Sequence, residues 1–205
     1  MIMKKAIINS EGAIKTEQPC IERRSVLRMG LLASVAAFIP NTLEASIRSI
    51  MPDERSLSFL NLHSNEYSEI KYHKNGTYDA EALDEINYLF RDHRNGTVKP
   101  IDRKLLNLLY TIKTKLGSTE PFHLISGYRS RQSNNQLRQR NRGVAKNSFH
   151  VLGQAADIRL PSCSLKKLRH TAFELKLGGV GYYPQSNFVH VDVGQVRYWN
   201  QNSSR

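Results

Sequence analysis

Apolar residues recur at helical spacing in two clear stretches. Residues 79–92 place Ala82, Leu83, Ile86, Leu89 and Phe90 on one side of a helix. Asp102 is suited to cap a second helix running to about Leu116, striped with Leu105, Leu106, Leu109 and Ile112, and Gly117 ends it. Polar residues 131–140 read as a surface helix, and Ser164 opens a further helix to about Leu177. Between these lie short strand-like runs. Residues 58–63 and 68–72 pair across a polar turn, 122–126 form a short buried strand, and 155–160 form another. Residues 180–183 and 188–193 pair through the turn 184–187. Helices and strands do not alternate regularly, which predicts an α+β fold: a small central antiparallel sheet flanked by helices.

The first 45 residues change the picture. Glu22-Arg23-Arg24-Ser25-Val26-Leu27-Arg28 precedes a short apolar run, Met29 to Pro40. A basic segment before a brief apolar one is an export signal, and the paired arginines point to the twin-arginine route into the periplasm. The run is too short to span a bilayer in the mature protein. The expected division is an export segment at 1–45 and one domain at 46–205.

Charge narrows the partner. The chain of 205 residues carries a net charge of +12. Only six Lys/Arg and four Asp/Glu lie before residue 46, so the basic character belongs to the domain. Such a surface suits nucleic acid, a membrane face or an acidic polymer such as a cell wall. The export signal and the lack of a nucleic-acid motif set nucleic acid aside. Cys20 and Cys163 make no metal-binding pair and no disulfide framework. Cys163 reads either as a reactive thiol or as a small buried residue.

The candidate chemistry lies in two segments. In Asn147-Ser148-Phe149-His150-Val151-Leu152-Gly153-Gln154-Ala155-Ala156-Asp157, a histidine and an aspartate are separated by a turn-permitting glycine and two small alanines. In Phe188-Val189-His190-Val191-Asp192, strand alternation puts His190 and Asp192 on one face and the valines on the other. Burying such polar groups is costly unless they are paired or bound to an ion. His150, Asp157 and His190 make a two-histidine, one-carboxylate set, a catalytic zinc pattern when water completes it. Each half alone also fits hydrogen-bonded core residues.

Four segments in order resemble the M15 metallopeptidases, of the lysostaphin, D-Ala-D-Ala peptidase and hedgehog type. They are Ser126-Gly127-Tyr128-Arg129-Ser130, the stretch from Gly143 to Asp157, Gly179-Val180-Gly181-Tyr182-Tyr183-Pro184, and Phe188 to Asp192. The resemblance covers residues 55–200. It implies a DD-peptidase-like fold, Zn2+ held by His150, Asp157 and His190, and Arg129 meeting the substrate. A guanidinium fork suits a carboxylate or carbonyl. Ser148 is expected to donate a hydrogen bond in the same region, with Tyr183 and Trp199 either lining the cleft or packing in the core. The implied activity is hydrolysis of amides in peptidoglycan cross-link peptides, of the D-Ala–diaminopimelate or diaminopimelate–diaminopimelate type, by a monomer. Several M15 relatives carry an acidic base three residues before the third ligand; here that residue is Asn187. Asp192 is then the candidate base, with orientation of His190 as its other role. The other reading of the whole is an exported zinc-site protein that binds peptidoglycan without cutting it. His63, His73, His93, His123 and His170 are read as surface or packing residues.

Overall fold

The computed structural model of the chain describes residues 51–201, apart from residue 142. The expected export segment lies outside the described residues. The chain order is β1 (Arg55–Asn61), β2 (Glu66–Lys74), β3 (Thr77–Tyr78), α1 (Ala80–Leu89), α2 (Arg103–Leu116), β4 (Phe122–Ser126) and α3 (Arg131–Arg140). A 3-10 turn (Phe149–Leu152) follows, then β5 (Ala155–Arg159), α4 (Leu165–Glu174), β6 (Gly179–Tyr183), β7 (Phe188–Asp192) and β8 (Arg197–Asn200).

The fold is α+β, as the residue pattern predicts, in a DD-peptidase or hedgehog-like arrangement. Its sheet is larger than expected. Eight strands lie in the order β3-β2-β1-β4-β5-β7-β6-β8. Most pairs are antiparallel, but β1 runs parallel to β4 and β6 parallel to β8. The β1–β4 pair follows from its connection: two helices intervene, which allows the crossover that parallel strands need.

The helices begin where short polar side chains take up free backbone N–H groups. Asp79 accepts from Ala82 N and Asp102 from Lys104 N, while Ser130 and Ser164 cap α3 and α4. Gly117 closes α2 at φ 64°. Helix α1 is shorter than its apolar stripe suggests. Beyond Leu89 the chain turns so that Asp92 can accept from Arg94 N and Ser130 N.

Helix α1 packs on β2, α2 on β1, and α4 on β6 and β7. One core joins them. Leu57, Phe59, Phe122, Ile158, Val189 and Val191 come from the sheet, and Ile86, Leu105, Leu109, Ile112 and Leu168 from the helices. Burying such residues is worth about 1.5–3 kcal/mol each. Because Ile158, Val189 and Val191 point into this core, alternation sends Asp157, Arg159, His190 and Asp192 to the opposite face.

Candidate metal centre

Strand register brings two of the expected ligands together. β5 and β7 are antiparallel neighbours, and Asp157 stands directly opposite His190. The third, His150, arrives on the 3-10 turn before β5. Gly153 ends that turn at φ 71°, and a Cβ there would meet Pro100 O at 2.5 Å. Only glycine combines this left-handed backbone with so close an approach. Ala155 and Ala156 then enter the sheet fully buried.

The three side chains converge. His190 Nδ1 lies 2.9 Å from Asp157 Oδ1, His150 Nε2 lies 3.2 Å from the same oxygen, and the two ring nitrogens are 3.2 Å apart. All three residues are buried. The outer nitrogens of both rings are committed elsewhere. His150 Nδ1 donates to Gly127 O at 2.7 Å, since a carbonyl oxygen only accepts. His190 Nε2 donates to Asp192 Oδ2 at 3.0 Å. In the neutral rings, therefore, His150 Nε2 and His190 Nδ1 carry lone pairs. Two lone pairs and a carboxylate oxygen face one another at about hydrogen-bond distance, an arrangement that repels unless a cation sits among them.

The donor set fits zinc. Bonds of about 2.0–2.1 Å to nitrogen and oxygen put neighbouring corners of a tetrahedron about 3.3 Å apart. The observed edges of 2.9–3.2 Å are close to that. Outer-side hydrogen bonds of this kind orient metal-bound histidines.

The local electrostatics favour positive charge at this cluster. Burial pushes Asp157 upward, yet His150 and His190 hold its carboxyl well below the usual range. Burial pulls His150 down. His190 is drawn down by burial too, but hydrogen bonds to Asp157 and Asp192 outweigh this and raise it. Burial raises Asp192, while His190, Arg197 and Gly194 N–H hold it low.

Asp192 is fully buried and completely engaged. Besides His190 it accepts from Arg197 through both terminal nitrogens (2.6 and 3.0 Å), from Gly194 N at 2.8 Å and from Gly179 N at 3.3 Å. It meets His190 on the side of the ring away from the ligand cluster.

The ligands lie in a cleft of about 920 Å³, which Arg129, Ser148, Tyr183 and Trp199 also line. Arg129 lies 3.8 Å from Asp157 Oδ2 and donates to Ser126 Oγ at 3.3 Å. Its Nε is buried with no hydrogen-bond partner among the described residues. Ser148 precedes the 3-10 turn but makes no capping bond with its side chain. Trp199 Nε1 donates to Tyr183 Oη at 2.9 Å, so the phenol keeps its own proton to donate. Tyr183 stacks on Phe188 with centroids 4.5 Å apart. Gly181 exists beneath this wall because a Cβ would strike the Trp199 indole at 2.5 Å.

Other candidates lie elsewhere. Cys163 and His123 line a separate cavity. His63 stacks on His93, and His73 bonds the Asp53 carbonyl. Two supporting parts escaped the sequence reading: the Gly127 carbonyl and β8. Arg197 and Trp199 alternate on β8, a pattern visible in Arg197-Tyr198-Trp199, although the run is short and largely exposed.

Comparison with known proteins matches this arrangement. Residues 49–199 match the family model described as Peptidoglycan L,D-endopeptidase MepK. The chain is 42% identical over 177 residues to "Peptidoglycan L,D-endopeptidase MepK" of Escherichia coli (strain K12), covering 86% of this chain and 96% of that one. It is 38% identical over 178 residues to "Probable peptidoglycan L,D-endopeptidase MepK" of Haemophilus influenzae, covering 86% and 95%. With a match across most of its length and a His150–Asp157–His190 cluster in place, this chain belongs to the MepK family of M15-type metallopeptidases.

Proposed function

We propose that the protein is a zinc-dependent murein endopeptidase that cuts an L,D amide in cross-link peptides, of the diaminopimelate–diaminopimelate type. The observation that carries this is the convergence of three lone-pair donors, each ring held by a hydrogen bond on its far side, at the floor of a cleft. The names of its relatives supply the bond class.

In this reading His150, Asp157 and His190 hold the ion. A zinc ion supplies Lewis acidity, activating water and polarising the amide carbonyl. Arg129, with a free buried Nε–H, binds a substrate carboxylate or carbonyl. Ser148 and the Tyr183 hydroxyl donate to the peptide. Asp192 is a positioning residue: its engagement with His190, Arg197 and two backbone N–H groups supports orientation of His190 over proton transfer. The protein acts as a monomer after export by the twin-arginine route, with residues 1–45 serving as the export segment and 46–205 as the enzyme. Among the described residues no helix is long and apolar enough to cross a membrane.

The test is digestion of isolated sacculi by zinc-loaded protein, with mass spectrometry of the products. Loss of diaminopimelate–diaminopimelate dimers is expected, and H150A should leave them intact. Unchanged muropeptides with the wild type would reject the proposal.

A further inference from the structure

The open face of the sheet continues past the metal centre. On β5, Asp157 and Arg159 share that face, about 7 Å apart along the strand. On β4, His123 stands opposite Arg159. These two line a second cavity of about 440 Å³ together with Ser164 and Asn187. The neighbours of Asn187 in sequence, Ser186 and Phe188, line the main cleft. The two cavities therefore adjoin at the β6–β7 turn.

The polar lining of this cavity is rich in donors. Arg159 Nε donates to His123 Nδ1 at 3.3 Å. A guanidinium has no lone pair to offer, so Nδ1 is the acceptor and the His123 proton sits on Nε2. Burial and the neighbouring Arg159 charge hold His123 below its ordinary value, which keeps this neutral tautomer. Among the described residues, the terminal nitrogens of Arg159 make no hydrogen bond or ion pair. Glu120, the acid that acts on His123, is tied to the Ser162 N–H at 2.9 Å. The N-terminus of α4, with Lys166 and Lys167 in its first turn, adds positive potential at the same place.

We propose that this pocket is a second substrate subsite, in which Arg159 and His123 bind a free carboxylate of the acidic stem peptide. The inference rests on the murein endopeptidase reading above. The separation from Asp157 corresponds to about two residues of extended peptide. A carboxylate two residues from the scissile amide would thus reach Arg159 while the amide lies at the metal centre. The forked guanidinium and the imidazole N–H offer three donors, enough for both oxygens of one carboxylate.

The experiment uses zinc-loaded protein and two synthetic probes: a murein stem peptide with free carboxylates, and the same peptide amidated only at the carboxylate two residues from the position of the scissile amide, its other carboxylates left free. Binding is measured by calorimetry for the wild type, R159Q and R159K. The wild type should prefer the carboxylate form by about tenfold or more. R159Q should bring the two probes within about twofold, and R159K, which keeps charge but not the fork, should fall between. With a cross-linked dimer as substrate, the loss in R159Q should fall on KM rather than kcat. Because Arg129 also faces the cleft, a wild-type preference that survives in folded R159Q overturns the assignment, as does the absence of any preference. Should R159Q fail to fold, R159K is read in its place, and an undiminished preference there overturns it equally. A preference that depends on Arg159 in a protein that cleaves nothing would support the subsite while rejecting the endopeptidase reading. Cleavage without any preference would reject the subsite alone.

Discussion

Asp192 grips His190 from behind: its Oδ2 takes the Nε2–H at 3.0 Å and is itself held by Arg197 at 2.6 Å. That bond decides which imidazole nitrogen faces Asp157 and His150. Asp192→Ala should therefore weaken zinc affinity by about 10–100-fold, with activity recovered in excess zinc. Competition with a zinc chelator measures the first effect and titrated activity the second. Full metal occupancy with turnover lost by about 10²-fold or more would instead reject the orienting role for Asp192.

One equivalent of zinc should bind the wild type, and less than a tenth should bind His150→Ala. Binding to the folded state alone should also raise the melting temperature, since the unfolded chain lacks the converged set. Elemental analysis and thermal melts with and without chelator check both. Retained zinc in His150→Ala would contradict the ligand assignment.

Arg129→Lys keeps a charge near Asp157 but removes the fork and the free Nε–H. We expect kcat/KM on cross-linked dimers to fall by about 10²-fold while zinc content stays at one equivalent. Steady-state kinetics beside metal analysis tests this. Unaltered kinetics would remove Arg129 from the substrate contacts.

Asp92 ties the turn after α1 to the start of α3, accepting from Ser130 N and Arg94 N. Burial pushes its carboxyl up, yet hydrogen bonds from Ser133, Ser130 and Arg94 hold it below the ordinary range. A depressed carboxylate contributes stability above its unfolded value of about 3.9, and that stability is lost as pH falls through the folded value. Asp92→Asn should cost about 1–3 kcal/mol at neutral pH. It should also flatten the loss of stability below pH about 4, seen in denaturant melts across pH. Parallel curves for the two proteins would refute the role.

Replacing Arg23 and Arg24 by lysine should trap the full-length protein in the cytoplasm if the twin-arginine route carries it. Fractionation with immunodetection gives the answer, and undiminished export would point to another route.

Much of the site was legible because alternation in a strand is a local property. His190 and Asp192 share a face in any strand of that sequence, and Val189 with Val191 names the core side. The glycine and alanines after His150 likewise mark a tight, unobstructed approach. The caps at Asp102 and Ser164 and the stop at Gly117 are local as well, set by side-chain reach and backbone sterics.

Pairing partners are a different matter. Nothing near Asp157 in the chain says that it stands opposite His190, or that His123 stands opposite Arg159; both follow from register between strands distant in sequence. The same holds for β8, whose exposed four residues carry little local signal yet bring Arg197 to Asp192 and Trp199 to Tyr183. The sequence by itself determined the residue types, their faces and, for every α-helix and strand except β3 and β8, the boundaries to within a few positions. Only the tertiary structure decided which nitrogen of each histidine faces inward, because that choice belongs to the acceptor on the far side of the ring: the Gly127 carbonyl for His150 and the Asp192 carboxylate for His190.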